Sequence, residues 1–201
     1  MNRSLVSTQS LRPPKQLEAL FDDVPLVGNE RREDYNGFFA VLAAAESPSD
    51  AIDWLLLKDL VDLSWEIRRE RRIRAGIVKL HQVAVVSDLL KSTFGTTDML
   101  QSAMNRIFHA GTEAQSWAND EQSRKSVELK LKEKGHDADS VLAQAYLRGV
   151  RDIDAIDNRI TRCEVRRNAV LKEIALRNER KAKKLARTLD FVEAKLSEAA
   201  E

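Results

Sequence analysis

The chain has 201 residues, 32% of them charged and only 5% aromatic, with one cysteine and a formal net charge of +1. That length suits one ordinary domain, or a small domain with a helical arm, and the charge-rich, aromatic-poor balance suits long solvent-bathed helices over thin cores. Near-neutrality excludes a global field that would draw in nucleic acid or an anionic membrane, and a single thiol excludes a disulfide framework or a multi-cysteine metal site.

Residues 1–28 read as a flexible N-terminal arm. They hold Pro13, Pro14 and Pro25 and show no sustained period. Leu17, Leu20 and Phe21 share a face over two helical turns, but a helix that short is marginal alone. The arm is therefore expected to stay unfolded until it meets a partner. Its polar start lacks the apolar core of a secretory signal.

A helical region follows over residues 29–137. Asn29 or a neighbour can cap its first helix, with Glu30 and Glu33 in the first turn, and Tyr35, Phe38, Phe39, Leu42 and Ala43 fall on one stripe. In Ser47-Pro48-Ser49-Asp50, Ser47 suits the N-cap of the next helix, Pro48 its first position and Asp50 its third. From there to Phe94 the three-four spacing of Leu56, Leu60, Leu63, Ile67, Ile73, Ile77, Leu80 and Ala84 predicts a helix of ~45 residues, roughly 65 Å long. Trp54 and Trp65, three turns apart, are expected to anchor a core. Gly95 and Thr96-Thr97-Asp98 punctuate the chain before a helix through Leu100, Ile107, Phe108, Ala114 and Trp117. Val127, Leu129 and Leu131 alternate with the period of a strand, yet a lone strand would have no sheet to join, so helix is expected. Gly135 ends it.

Residues 138–201 form the stretch on which the rest depends, opened by Asp137 or Asp139. Ile153, Ile156, Ile160, Cys163, Val170 and Ile174 keep a heptad seam with Arg167 at a seam position. After a shift near Asn178 the pattern resumes as Ala182, Leu185, Leu189, Val192, Leu196 and Ala199. An unbroken helix of ~60 residues is roughly 90 Å long and must lie against another long helix, in this chain or a partner. The fold class expected is all-α: two long helices in an antiparallel coiled-coil-like hairpin, with shorter helices packed at one end. Cys163 fits this seam as a small apolar thiol, with a crosslink between copies or a reactive thiol as the alternatives.

Two basic clusters stand out. Between Glu66 and Arg74, five arginines and two glutamates occupy nine residues, and Arg68, Arg71 and Arg72 share one helix face. Phosphate contact is one reading, since a guanidinium can grip phosphate bidentately. The others are pairing with Asp152, Asp154 or Asp157 on the last helix, or a solvated face with pairs such as Glu70–Arg74. The second cluster is Arg177, Arg180, Lys181, Lys183, Lys184 and Arg187, with Glu179 as its one acid. Here a polyanion contact competes with an outward face that meets the acids of a partner helix. Neither cluster has interleaved aromatics for stacking bases.

His81, His109 and His136 stand in no metal-binding spacing, and no phosphate loop, nucleophile elbow or dinucleotide fingerprint occurs. No catalytic residue, metal, cofactor or small-molecule substrate is therefore expected. No apolar run is long enough to span a bilayer, and with no secretory signal the expected location is the cytoplasm.

Asp34-Tyr35, Pro48-x-Asp50-x-Ile52-Asp53-Trp54, Asp59-Leu60-Val61-Asp62-Leu63-Ser64-Trp65-Glu66-Ile67-Arg68-Arg69 and Ile156-Asp157-x-x-Ile160-x-Arg162-x-Glu164-x-Arg166-Arg167-Asn168 carry a resemblance. The chain resembles a family of short uncharacterised α-proteobacterial helical proteins. That resemblance implies no activity and transfers no residue role. The function expected from the residues is non-enzymatic association through the seam, with itself or with a helical protein partner. The alternative is a nucleic-acid accessory in partitioning, packaging or mobile-element maintenance, using the two basic clusters.

Overall fold

A computed structural model describes the backbone of residues 12–91 and 100–198, and the side chains of 12–91 and 107–192. The punctuation expected at Gly95–Asp98 and the seam residues Leu196 and Ala199 lie outside the described residues or side chains, as do residues 1–11 of the arm. Among the described residues the protein is all-α, with no strand. A 3-10 turn (Lys15–Leu17) leads into α1 (Glu18–Asp22), α2 (Arg32–Glu46), α3 (Ala51–Lys91), α4 (Leu100–Asn119), α5 (Glu121–Lys132) and α6 (Ala138–Glu198). The long helices α3 and α6 pack together. The chain divides into two compact units, residues 1–67 with 161–201, and residues 68–160.

In the first unit the core is Tyr35 and Ala43 of α2 with Trp54, Leu57, Val61 and Trp65 of α3. Leu17, Phe21, Val24 and Leu26 pack against it, so the described part of the segment read as an arm docks on its own chain. Phe21 meets the rings of Phe39 and Trp54 edge-on at 5.5 and 5.9 Å. Polar groups pin the same segment: the Trp65 indole N–H donates to the Glu30 carboxylate at 2.9 Å, which also accepts from the Val27 N–H. Glu30 thus precedes α2, whose N-cap is Arg31, without a side-chain cap, in place of Asn29. The Tyr35 hydroxyl donates to Asp62, which also holds Lys58 at 2.5 Å. Burial, with that hydrogen bond and the Asp62 charge, pushes the Tyr35 phenol far above its ordinary value.

The junction between α2 and α3 differs from the reading by sequence. Ser47 takes a left-handed conformation (φ 47°) and closes α2, its N–H donating to the Ala43 carbonyl. Asp50 starts α3, one carboxylate oxygen accepting from the N–H groups of Ile52 and Asp53 at 2.9 and 3.0 Å. Both residue types can cap a helix, and the one whose side chain reaches N2 and N3 won.

The second unit is built on Val85, Val86 and Leu90 of α3, Ala110, Ala114, Trp117 and Ala118 of α4, Val127 and Leu131 of α5, and Val141 and Ala145 of α6. On helical α5, Val127 and Leu131 are four apart and buried, whereas Leu129 is exposed, which disposes of the strand-like alternation. Asp137 and Ser140 open α6 reciprocally: the Ser140 N–H donates to the Asp137 carboxylate at 2.8 Å, and the Asp137 N–H to the Ser140 hydroxyl at 3.0 Å.

Gly149 of α6 carries the ring of His81. A Cβ there would stand 2.4 Å from His81 Cδ2. Gly149→Ala should cost about 1–3 kcal/mol in overpacking, less the ~1 kcal/mol gained by removing a helical glycine. Urea denaturation should show a small net loss, and His81→Ala on that background should restore stability. A Gly149→Ala protein more stable than the parent would show that the ring yields freely.

Candidate functional site

The α6 residues that face inward can be followed by their burial. In the second unit Ile153, Ile156 and Ile160 are buried. In the first, Cys163, Arg167, Val170, Ile174, Arg177 and Lys181 are half-buried at alternating steps of four and three. The Cys163 thiol lies 3.5 Å from the Glu66 carboxylate of α3, and the Arg167 Nε is buried with no hydrogen-bond partner among the described residues. This stripe runs through Asn178 without a shift of register. Its last two positions are cations, which an apolar periodicity cannot register.

Those cations meet the first turn of α3. Arg177 grips Asp50 at 2.9 Å and Asp53 at 3.0 Å. Lys181 reaches Asp50 at 3.0 Å and the Ser49 hydroxyl at 2.8 Å, and pairs closely with Asp53. Arg177 and Lys181, candidate phosphate contacts by sequence, are thereby committed within the chain. Burial opposes the Asp53 charge, but hydrogen bonds from Lys181, Ser49 and Arg177 outweigh it and hold the carboxyl well below its ordinary value. Asp50 is lowered too, chiefly by the Asp53 backbone N–H. The same contacts raise Arg177 and Lys181.

A lowered folded-state pKa gives stability that is fully present above the unfolded value and lost as pH falls through the folded one. The free energy of unfolding should therefore hold down to about pH 5 and fall below the ordinary aspartate value of 3.8. Asp53→Asn should flatten this acid limb in denaturation curves taken between about pH 6 and 2. An unchanged slope would remove the quartet from the explanation.

Past Lys181 the helix loses α3, which begins at Ala51. Leu185, Leu189 and Val192 are 62%, 53% and 46% exposed, and with Ala182 they centre about 60° round the helix from the α3-facing stripe, overlapping its edge. Lys183 pairs with Glu179 at 2.6 Å. Arg180, Lys184 and Arg187 are exposed, and their side chains form no ion pair among the described residues.

The first basic cluster is divided differently. Arg74 binds Asp157 at 2.7 Å and donates to the Tyr146 hydroxyl at 3.1 Å, over whose ring it also lies. Glu70 pairs with Arg159 at 3.0 Å rather than with Arg74. Of the other aspartates weighed as partners, Asp152 lies 4.0 Å from the His81 Nε2. Arg68, Arg71 and Arg72 are exposed on α3 and engaged in contacts of their own. Sequence reasoning missed Ser49, Asp50 and Asp53 as partners of the last helix. The available signal is two acids three apart at a helix start, of which the sequence reading uses only Asp50, as a first-turn residue.

No group of three or more His, Cys, Asp or Glu side chains able to hold a metal occurs among the described residues, and no helix there is long and apolar enough to cross a membrane. No family model, curated protein or solved structure matches the chain.

Proposed function

We propose that the protein is a non-enzymatic association device of the cytoplasm, in which α3 and α6 form an antiparallel coiled-coil-like hairpin and the distal part of α6 pairs with a second copy of the chain. The hairpin reading is supported in the first unit by Asp53–Arg177 and Glu66–Cys163, and in the second by Glu70–Arg159, Arg74–Asp157 and Asp88–Arg148. In each unit, rising numbers on one helix meet falling numbers on the other. The α-proteobacterial resemblance is compatible with this reading and adds no activity to it.

The observation that carries the association is the exposed stripe Ala182, Leu185, Leu189, Val192. It begins where α3 ends, so no part of α3 covers it. A free helical segment of this length is marginal in water, and burying its apolar edge against an identical edge about a twofold axis both stabilises it and closes the assembly. Sedimentation velocity over a wide concentration range tests this: the full chain should move from one to two chain masses. A species that stays monomeric at high concentration would end the reading.

A further inference from the structure

We infer that Arg180, Lys184 and Arg187 form a binding stripe for the phosphate backbone of nucleic acid, on the side of α6 opposite its apolar edge. The stripe emerges only when the basic cluster is divided by structure. Of its six cations, Arg177 and Lys181 are neutralised by Asp50 and Asp53, and Lys183 by Glu179. The three that remain stand at i, i+4 and i+7, on one face by helical geometry, spanning about 10 Å of rise. Within this cluster the unpaired positive charge thus falls in one short line, on a chain whose net charge is only +1.

The chemistry of that line suits phosphate. Two of its three members are arginines, whose planar forks donate to phosphate oxygens bidentately, and both are extended into solvent rather than held by a carboxylate. At 3.6 residues per turn the stripe lies about 150° round the helix from the centre of Ala182, Leu185, Leu189 and Val192. An amphipathic helix that sank its apolar edge into a bilayer would turn these cations away from the anionic headgroups, so the arrangement opposes membrane insertion. Pairing of the apolar edge with a second copy leaves the stripe outward on each chain. The site does not depend on that pairing, which changes only how many stripes one particle presents.

Fluorescence anisotropy of a labelled random-sequence duplex with the full chain, titrated with salt, tests the inference. Three phosphate contacts predict a slope of about −2.7 for log K against log salt, which is roughly a 40-fold loss between about 50 and 200 mM. A dimer that engages both stripes on one duplex would double the slope, whereas a monomer keeps the single value, so failure of self-association and failure of this site are separable. Arg180→Gln, Lys184→Gln and Arg187→Gln together should weaken binding at least about tenfold and flatten the slope. Circular dichroism and sedimentation of that variant should be unchanged, as the three residues make no ion pair among the described residues. No binding of duplex or single strand at about 50 mM salt, or equal binding by the triple variant, would overturn the assignment. Tighter capture by phosphatidylserine vesicles or by a polyglutamate peptide than by the duplex would also overturn it, in favour of a lipid or protein partner.

Discussion

Replacing Trp54 with alanine is expected to lower the free energy of unfolding by about 3–5 kcal/mol, the range for deleting a large aromatic from a packed core. The ring is 4% exposed, stacks on Phe39 with centroids 6.2 Å apart and receives Phe21 edge-on. It is the side chain on which three segments converge: the α1 segment, α2 and the first turns of α3. Its removal takes away the transfer free energy and also leaves a cavity in the close-packed cluster. For a chain of this length each kcal/mol shifts the midpoint by about 2–4 °C, so thermal unfolding should begin roughly 10 °C lower. Trp54→Phe, which keeps an aromatic ring against Phe39, should lose much less. Because the α1 segment is held mainly by this cluster, limited proteolysis of Trp54→Ala should also cut between residues 12 and 28 faster than in the parent. A loss below about 1 kcal/mol would mean that the cluster is not close-packed.

The parts of this architecture that were readable in advance are those governed by apolar spacing. The all-α class, a long α3 and an opening of α6 at one of the aspartates Asp137 and Asp139 all follow from the three-four period and from capping chemistry. What escaped the reading depends on polar contacts between residues far apart in the chain. Arg177 and Lys181 occupy α3-facing positions because Asp50 and Asp53 stand opposite, more than a hundred residues earlier. A scan for greasy residues sees only a gap in the pattern and infers a shift. Glu30 satisfies Trp65 in the same long-range way, and that contact helps turn a supposed arm into part of the first core. The N-cap of α3 falls on Asp50 rather than on Ser47 because both side chains can cap a helix, and the left-handed φ of Ser47 places it at the end of α2 instead. For the candidate site the consequence is concrete. The sequence groups six cations, and the fold divides them into three that are paired with carboxylates and three that form no ion pair among the described residues.

The second large effect is expected at the distal end of α6. Leu185→Asp with Leu189→Asp should reduce self-association by about a thousandfold or more while leaving the single chain folded. The two leucines are 62% and 53% exposed, so in the monomer the substitutions exchange solvated surface for solvated surface, where changes usually stay within about 0.5 kcal/mol. In the pair the balance differs. Each chain loses two buried side chains, so the assembly loses four. Even at about 1 kcal/mol each, well under the 1.5–3 kcal/mol of full burial, the total is about 4 kcal/mol, or roughly three decades in the dissociation constant. Carboxylates facing their own copies across the twofold axis add like-charge repulsion to that loss. Sedimentation should find the variant monomeric at concentrations where the parent is dimeric, with its denaturation midpoint retained. Charge reversal at Arg180 and Lys184, on the far side of the helix, should leave the dimer intact. If the aspartates spare the dimer while an equivalent pair at Val165 and Leu176 breaks it, the chains meet along another face of α6.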